Sequence, residues 1–186
     1  MPKKRETFVN HSDALCLQLW EQEESKDFTI IVDEKEITAH KCILAARSPV
    51  FAAMFQSGMK EAEENKVEIN DFPFNIVEAA IKLCYHHSLV TDITLNNKMA
   101  LLQFFDKYNI HSVKNDLEAY LISEIDESNV CFLTNCSLRS NSRKLEEKCA
   151  EFIQRCFNTK PIADFDLLDK DFALNLLKNA FCQVSK

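Results

Sequence analysis

The chain has 186 residues, 46% of them hydrophobic and 27% charged, enough to bury one sizeable core with a smaller appended module. A formal net charge of -7 and a pI near 5.3 oppose binding to a phosphate backbone, so nucleic acid is not an expected partner. No apolar run is long enough to span a bilayer, and the first residues lack the apolar core of a signal peptide, which places the chain in the cytosol or nucleus with no membrane partner.

One glycine and four prolines argue against an all-β sandwich and for an α+β, mostly helical fold. The eight cysteines include no C-x-x-C pair. Cys84, Cys149 and Cys156 fall on apolar positions of predicted helices, where a free thiol acts as a small hydrophobe. Cys131 and Cys136 stand five residues apart without a matching His pair, so neither a structural zinc nor any cofactor is expected.

Residues 1–11 read as a flexible tail, its Lys3-Lys4-Arg5 cluster being a charged terminus or part of an import signal. From Ser12 to Trp20, Leu15, Cys16, Leu19 and Trp20 mark one side of a helix. Phe28 to Val32 has the β-branched and aromatic residues of a buried strand, and Ile37-Thr38-Ala39 resumes it after Asp33-Glu34-Lys35-Glu36, which predicts a hairpin with a four-residue loop. Ile43, Leu44 and Ala46 line a short helix. Ser48-Pro49 restarts the chain as cap and first helical residue, and Val50, Phe51, Met54 and Phe55 complete the next apolar face.

Gly58 reads as a left-handed helix stop, followed by the Met59-Lys60-Glu61 loop and a charged run to Lys66. Val67 and Ile69 alternate with Glu68 as a half-buried strand. After the Asn70–Pro73 turn, Phe74, Val77, Ile81 and Cys84 face one way along a helix, and Tyr85-His86-His87-Ser88 reads as a surface turn. Met99, Leu102 and Phe105 mark another helix, ending in Asp106-Lys107-Tyr108. Ser112 is a cap candidate for the next, with Val113, Leu117, Tyr120 and Leu121 on one face. Beyond Ser123 the pattern is wholly helical. Ser128-Asn129 and Ser142 are cap candidates, Leu145, Cys149, Phe152, Ile153 and Cys156 repeat at helical spacing, Pro161 ends that helix, and Phe172 to Phe181 predicts a last one.

Asp27, Ala39-His40-Lys41, Leu44-Ala45-Ala46, Ser48-Pro49-Val50-Phe51 and Met54-Phe55, in this order and spacing, resemble the core of a BTB/POZ domain of the speckle-type branch, as do Leu19-Trp20-Glu21 and Asp106-Lys107-Tyr108. The resemblance implies a small sheet flanked by short helices over residues 12–123, followed by an all-α extension over 124–186 similar to a three-box or truncated BACK domain. The alternative for that extension is a helical pair that only stabilises the first domain. The resemblance further implies dimerisation, with itself or a BTB paralogue, through Leu15, Cys16, Leu19 and Trp20, with Asp27 and Lys41 in a charged pocket near the interface. Ser12 and Cys16 are smaller than the residues the family places there. The same helical face could instead pack onto its own domain.

In cullin-binding members an apolar-x-Glu element follows this helix stop. Met59 and Glu61 match it, and the resemblance extends the surface for a cullin of the third class to Phe55, Tyr108, Phe152 and Ile153. The plainer reading has Met59 covering its own core and Glu61 in a solvated charge run. Speckle-type relatives carry a substrate-reading MATH domain, whereas only a short tail precedes the BTB-like region in this sequence, so the target protein is left unidentified.

No glycine-rich phosphate loop, nucleophile elbow or metal-ligand cluster is present in the sequence, and His40 with Cys42 reads as a hydrogen-bonded histidine rather than a dyad, so no enzyme is expected. Two functions follow: a cullin-docking adaptor that brings an unknown substrate protein to a ubiquitin ligase, or a dimerising scaffold, regulator of full-length relatives or recruiter of co-regulators that needs no cullin.

Overall fold

The computed structural model describes residues 11–56, 58–85, 93–157 and 159–182, with side chains described over 15–56, 58–85, 93–157 and 159–179. The expected tail to residue 10, Ser57 and the His86–Ser88 turn lie outside the described residues. The chain divides into two compact units, Met1–Thr91 and Asp92–Lys186.

The first unit is organised by its sheet. Strand β1 (Phe28–Val32) pairs antiparallel with β2 (Lys35–Ala39), and Val32 lies directly opposite Lys35. The connection is therefore two residues long, not four. Asp33 and Glu34 both take left-handed backbone, with φ of 49° and 62°, the pattern of a tight hairpin turn. Lys35 and Glu36 stay in the strand because their side chains face water while the backbone ladder continues regardless of charge. Strand β3 (Lys66–Glu68) adds parallel to the other edge of β1, giving the order β2-β1-β3.

Alternation along β1 buries Phe28, Ile30 and Val32, and Leu44, Phe51, Val77, Ala80 and Ile81 are the buried helical residues of the same unit. The helices supplying that layer are α2 (Lys41–Arg47), α3 (Pro49–Gln56) and α5 (Phe74–Tyr85), with α1 (His11–Glu21) packed on α5. Ser48 caps α3 as expected, its hydroxyl accepting the Phe51 N–H at 3.1 Å. Gly58 does not make the expected left-handed stop. Its φ is not positive, and a side chain there would meet nothing within 4 Å. The left-handed residue is Asn65, φ 55°, which ends the short helix α4 (Lys60–Glu64).

The second unit is all helical over its described residues: α6 (Leu95–Lys107), α7 (His111–Ser123), α8 (Val130–Arg139), α9 (Arg143–Cys156) and α10 (Lys170–Cys182). Its core is built from Leu101, Leu102, Phe104, Phe105, Leu117, Leu121, Leu133, Leu145, Cys149 and Ile153, all but closed to water. Ser112 is not the cap of α7. Asn109 turns the chain with φ 54° and the helix starts two residues earlier, with Ile110 in the cap position. Asn129 occupies the cap position of α8 as foreseen but makes no side-chain cap bond there, and the turn leading into the helix is held by Asp126. Its carboxylate accepts the N–H groups of Ser128 and Asn129 at 2.8 and 3.0 Å, and the Asn129 side chain returns a bond to the Asp126 N–H. Those bonds, the Ser128 hydroxyl foremost, hold the Asp126 carboxyl below the usual aspartate range. Ser142 occupies the cap position of α9, but its hydroxyl joins Ser140 instead. The expected boundary near Ser123 falls inside this second unit.

Candidate protein-interaction surfaces

At about 100° per residue, Cys16, Leu19 and Trp20 fall close to one line of α1, with Leu15 and Leu17 on its two shoulders. Burial follows that geometry. Cys16, Leu19 and Trp20 are half-buried, while Leu15 is 58% and Leu17 42% exposed. The Trp20 ring meets the Tyr85 ring edge-on at 5.1 Å, so the residue singled out for a partner already has an intramolecular one. Leu17, absent from the expected set, is more accessible than Cys16, Leu19 or Trp20, though less so than Leu15.

Asp27 and Lys41 are brought together, though not as an ion pair. Asp27 Oδ1 accepts the backbone N–H of Lys41 at 2.7 Å, while the Lys41 ammonium donates to the Asn65 side-chain oxygen and sits 5.9 Å from the Phe28 ring and 5.6 Å from the Phe55 ring. This arrangement ties the start of α2 to the turn between α4 and β3. Phe55 is half-buried, edge-on to Phe28 at 4.7 Å.

Met59 is the cap-position residue of α4 rather than part of a loop. Its carbonyl accepts the Ala62 N–H at 3.0 Å, and its side chain is 53% exposed. Exposure of half a methionine leaves apolar, adaptable surface for a partner. Behind it, Glu64 holds Lys60 at 3.7 Å and Lys66 at 2.9 Å, and the Lys66 bond in particular lowers the Glu64 carboxyl. Glu61 has no ion-pair partner among the described residues. It lines a cavity of about 330 Å³ with Ile31, Lys60, Glu64, Lys66 and Glu68.

His40 is buried, and both ring nitrogens are occupied: Nδ1 lies 2.8 Å from the Tyr85 hydroxyl and Nε2 2.8 Å from the Ser25 hydroxyl. Cys42 is exposed and forms no dyad with it. Burial pushes the Tyr85 hydroxyl up to about 12, so it stays protonated at neutral pH.

In the second unit, Tyr108 is 5% exposed and packs on Phe104 at 4.5 Å. Phe152 is half-buried with the Arg155 guanidinium 5.6 Å from its ring, and Ile153 is fully buried. Ile153 therefore acts from beneath the surface, as one wall of a cavity of about 210 Å³ completed by Cys156, Phe157, Lys160, Ile162 and Phe165. Burial raises the Cys149 thiol to about 12, which makes it an inert core residue.

Sequence patterning missed Lys114. It lies on the apolar face of α7, and its ammonium donates to Asp106 at 2.7 Å and to the carbonyls of Ser140 and Asn141 at 2.6 and 3.3 Å. A lysine four residues before Glu118 reads as an ordinary solvated pair, and the partners that bury it come from distant stretches.

A family model for the BTB/POZ domain matches residues 16–125. The chain is similar to protein maternal effect lethal 26 of Caenorhabditis elegans, 35% identical over 137 residues that cover 73% of this chain and 34% of that protein. It is also similar to a BTB/POZ domain-containing protein of Arabidopsis thaliana, 36% identical over 104 residues, which cover 56% of this chain and 31% of the relative. The chain thus spans about a third of the length of these two relatives. Among solved structures, the BTB domain of zebrafish PATZ1 aligns with a TM-score of 0.50 at 20% identity, covering 64% of this chain and 98% of that one. The BTB domain of human gigaxonin aligns at 0.51 and 16% identity, with coverage of 64% and 98%. At these identities the likeness speaks for the fold.

Proposed function

This chain belongs to the BTB/POZ family, a protein-interaction and dimerisation fold, and we propose that it is a non-enzymatic adaptor that self-associates through α1 and docks a cullin of the third class through Met59 and Glu61. The observation that carries this reading is the state of the 59–64 segment. Met59 stands half-exposed at the head of a helix in which Lys60 and Glu64 pair with each other and Glu64 also holds Lys66, while Glu61 beside it, like Glu63, has no ion-pair partner among the described residues and is available to an incoming group. In the first unit Phe55, edge-on to Phe28, would add to this docking surface, and in the second unit Phe152 would contribute separately, with Tyr108 and Ile153 buried in that unit's own core.

Magnitude decides which variant is informative. Fully burying a methionine is worth roughly 1.5–3 kcal/mol, and about half of Met59 remains to be buried, so the apolar gain is roughly 0.8–1.5 kcal/mol. Met59→Asp forfeits that gain and adds the cost of desolvating a carboxylate. Titration of the purified protein against a cullin N-terminal region should give micromolar or tighter binding, weakened at least about tenfold by Met59→Asp, which corresponds to about 1.4 kcal/mol. Glu61→Lys should weaken it less and mostly through association rate. A parent protein that does not bind would leave a dimerising scaffold, a reading that the exposed Leu15 and Leu17 favour whether or not a cullin is bound.

A further inference from the structure

Strand β3 is an outer strand of the sheet, and one of its two edges is open. The other edge is fixed by its bonds to β1. The Asn65 carbonyl accepts the Thr29 N–H at 3.0 Å, and the Ile69 N–H donates to the Ile31 carbonyl at 2.9 Å. Backbone groups alternate in direction along a strand, so those of residues 65, 67 and 69 face β1 and those of Lys66 and Glu68 face away from it. Among the described residues no strand lies beyond β3, and no group bonds the Lys66 or Glu68 backbone.

Side chains on the solvent face of the sheet give this edge its chemistry. Strand pairing aligns Glu36 of β2, Ile31 of β1 and Glu68 of β3 in one row, with Ile31 half-buried between two exposed carboxylates. Lys66 is held by Glu64 at 2.9 Å, while Glu36 and Glu68 make no ion pair among the described residues. The uncommitted charge at the edge is therefore negative. An identical edge on a second copy offers no free cation in return, since its own lysine is already held. The cavity of about 330 Å³ between α4 and β3, with Ile31, Val67 and Asn70 in its wall, leaves room beside the strand.

We propose that the open edge of β3 is a docking site for an extended, basic segment of another protein, which adds as a further strand on the Lys66 and Glu68 backbone and sets a lysine or arginine beside Glu68. Main-chain bonds supply the attachment, and Glu68 supplies the preference for a cation. A three-residue strand is a short edge, which guards it against indiscriminate pairing and makes binding depend on the charge. The inference stands whether or not a cullin docks at Met59.

The probe is a short capped peptide alternating lysine and valine, titrated at low salt into isotope-labelled protein. It should bind saturably. At about 90% occupancy, solvent exchange of the Lys66 and Glu68 amides should slow roughly tenfold, while that of Val67, which faces β1, stays unchanged. Glu68→Lys, at an exposed position, should weaken binding at least about threefold without altering the fold. Glutamate in place of every lysine should abolish binding by reversing the charge, and N-methylation of every residue should abolish it by removing the donors. Binding that survives N-methylation, or that leaves both edge amides unprotected, would be a diffuse charge attraction and would overturn the proposal, as would no binding. Protection of the same amides that grows with the concentration of the protein alone would seat a second copy on the edge and overturn it too.

Discussion

Lys114→Met keeps most of the aliphatic stem of a lysine that joins α7 to the α8–α9 turn, and removes only its ammonium. Three acceptors lose their donor. Asp106 suffers least, because its side chain is 29% exposed and its other oxygen keeps the Asn141 amide at 2.8 Å. The Ser140 carbonyl belongs to a fully buried residue and retains only a long bond, 3.4 Å, from the Ser142 hydroxyl, so its loss should cost about 1–3 kcal/mol. Breaking a buried ion pair costs about 3–5 kcal/mol, and the partial exposure of Asp106 discounts that figure. Together the expected loss is about 3 kcal/mol, or a melting temperature lower by about 6–12 °C for a chain of this size. Thermal and urea unfolding followed by far-UV circular dichroism measure it. Asn141→Ala should lose less alone, and the double variant should fall short of the sum because both residues hold the same carboxylate. A change under about 1 kcal/mol for Lys114→Met would refute the reasoning, since water would then be replacing the ammonium at the buried carbonyl.

Gly58→Ala should stabilise the protein by about 0.4–1 kcal/mol in the same unfolding assay, because the backbone there is not left-handed, the added methyl group has open space and the unfolded chain loses freedom. A loss of stability would restore the glycine-stop reading. Asp126→Ala should cost about 1 kcal/mol at neutral pH through the lost bonds to the turn that leads into α8. The folded carboxyl titrates below its unfolded value of about 3.9, so its contribution is full above that value and lost as pH falls through the lower folded one; parent and variant should converge in urea midpoint as the pH is taken progressively below the unfolded value. The loss of cullin affinity in Met59→Asp, described above, tests the surface itself.

Local pattern carried much of this protein. The Ser48-Pro49 cap, the alternation at Val67 and Ile69, the helical repeat of Leu145, Cys149, Ile153 and Cys156 and the spacing of Asp27 through Phe55 were legible because each is a short-range rule: a cap needs one oxygen near one N–H, and a buried face repeats every turn. The same rules placed the hairpin and the start of α3 while missing the two-residue turn and the end of that helix, which Gly58 does not make. The pairing of Val32 with Lys35 is set across strands, and charge along one strand does not report it.

What tertiary structure alone decided lies where one position has two plausible partners. On α1 the sequence offers four residues as one face, and whether Trp20 points to a second chain or to Tyr85, 65 residues away, depends on where the sheet and α5 place that ring. Lys114 looks solvated until α8 and α9 bring carbonyls to it, and Gly58 looks like a stop until Asn65 is found in the left-handed turn. Composition, periodicity and caps are properties of neighbours along the chain, so the sequence determined the family, the elements and the candidate surfaces. Which side chain within each surface is free for a partner depends on contacts between segments far apart in the chain, and only folding selects those.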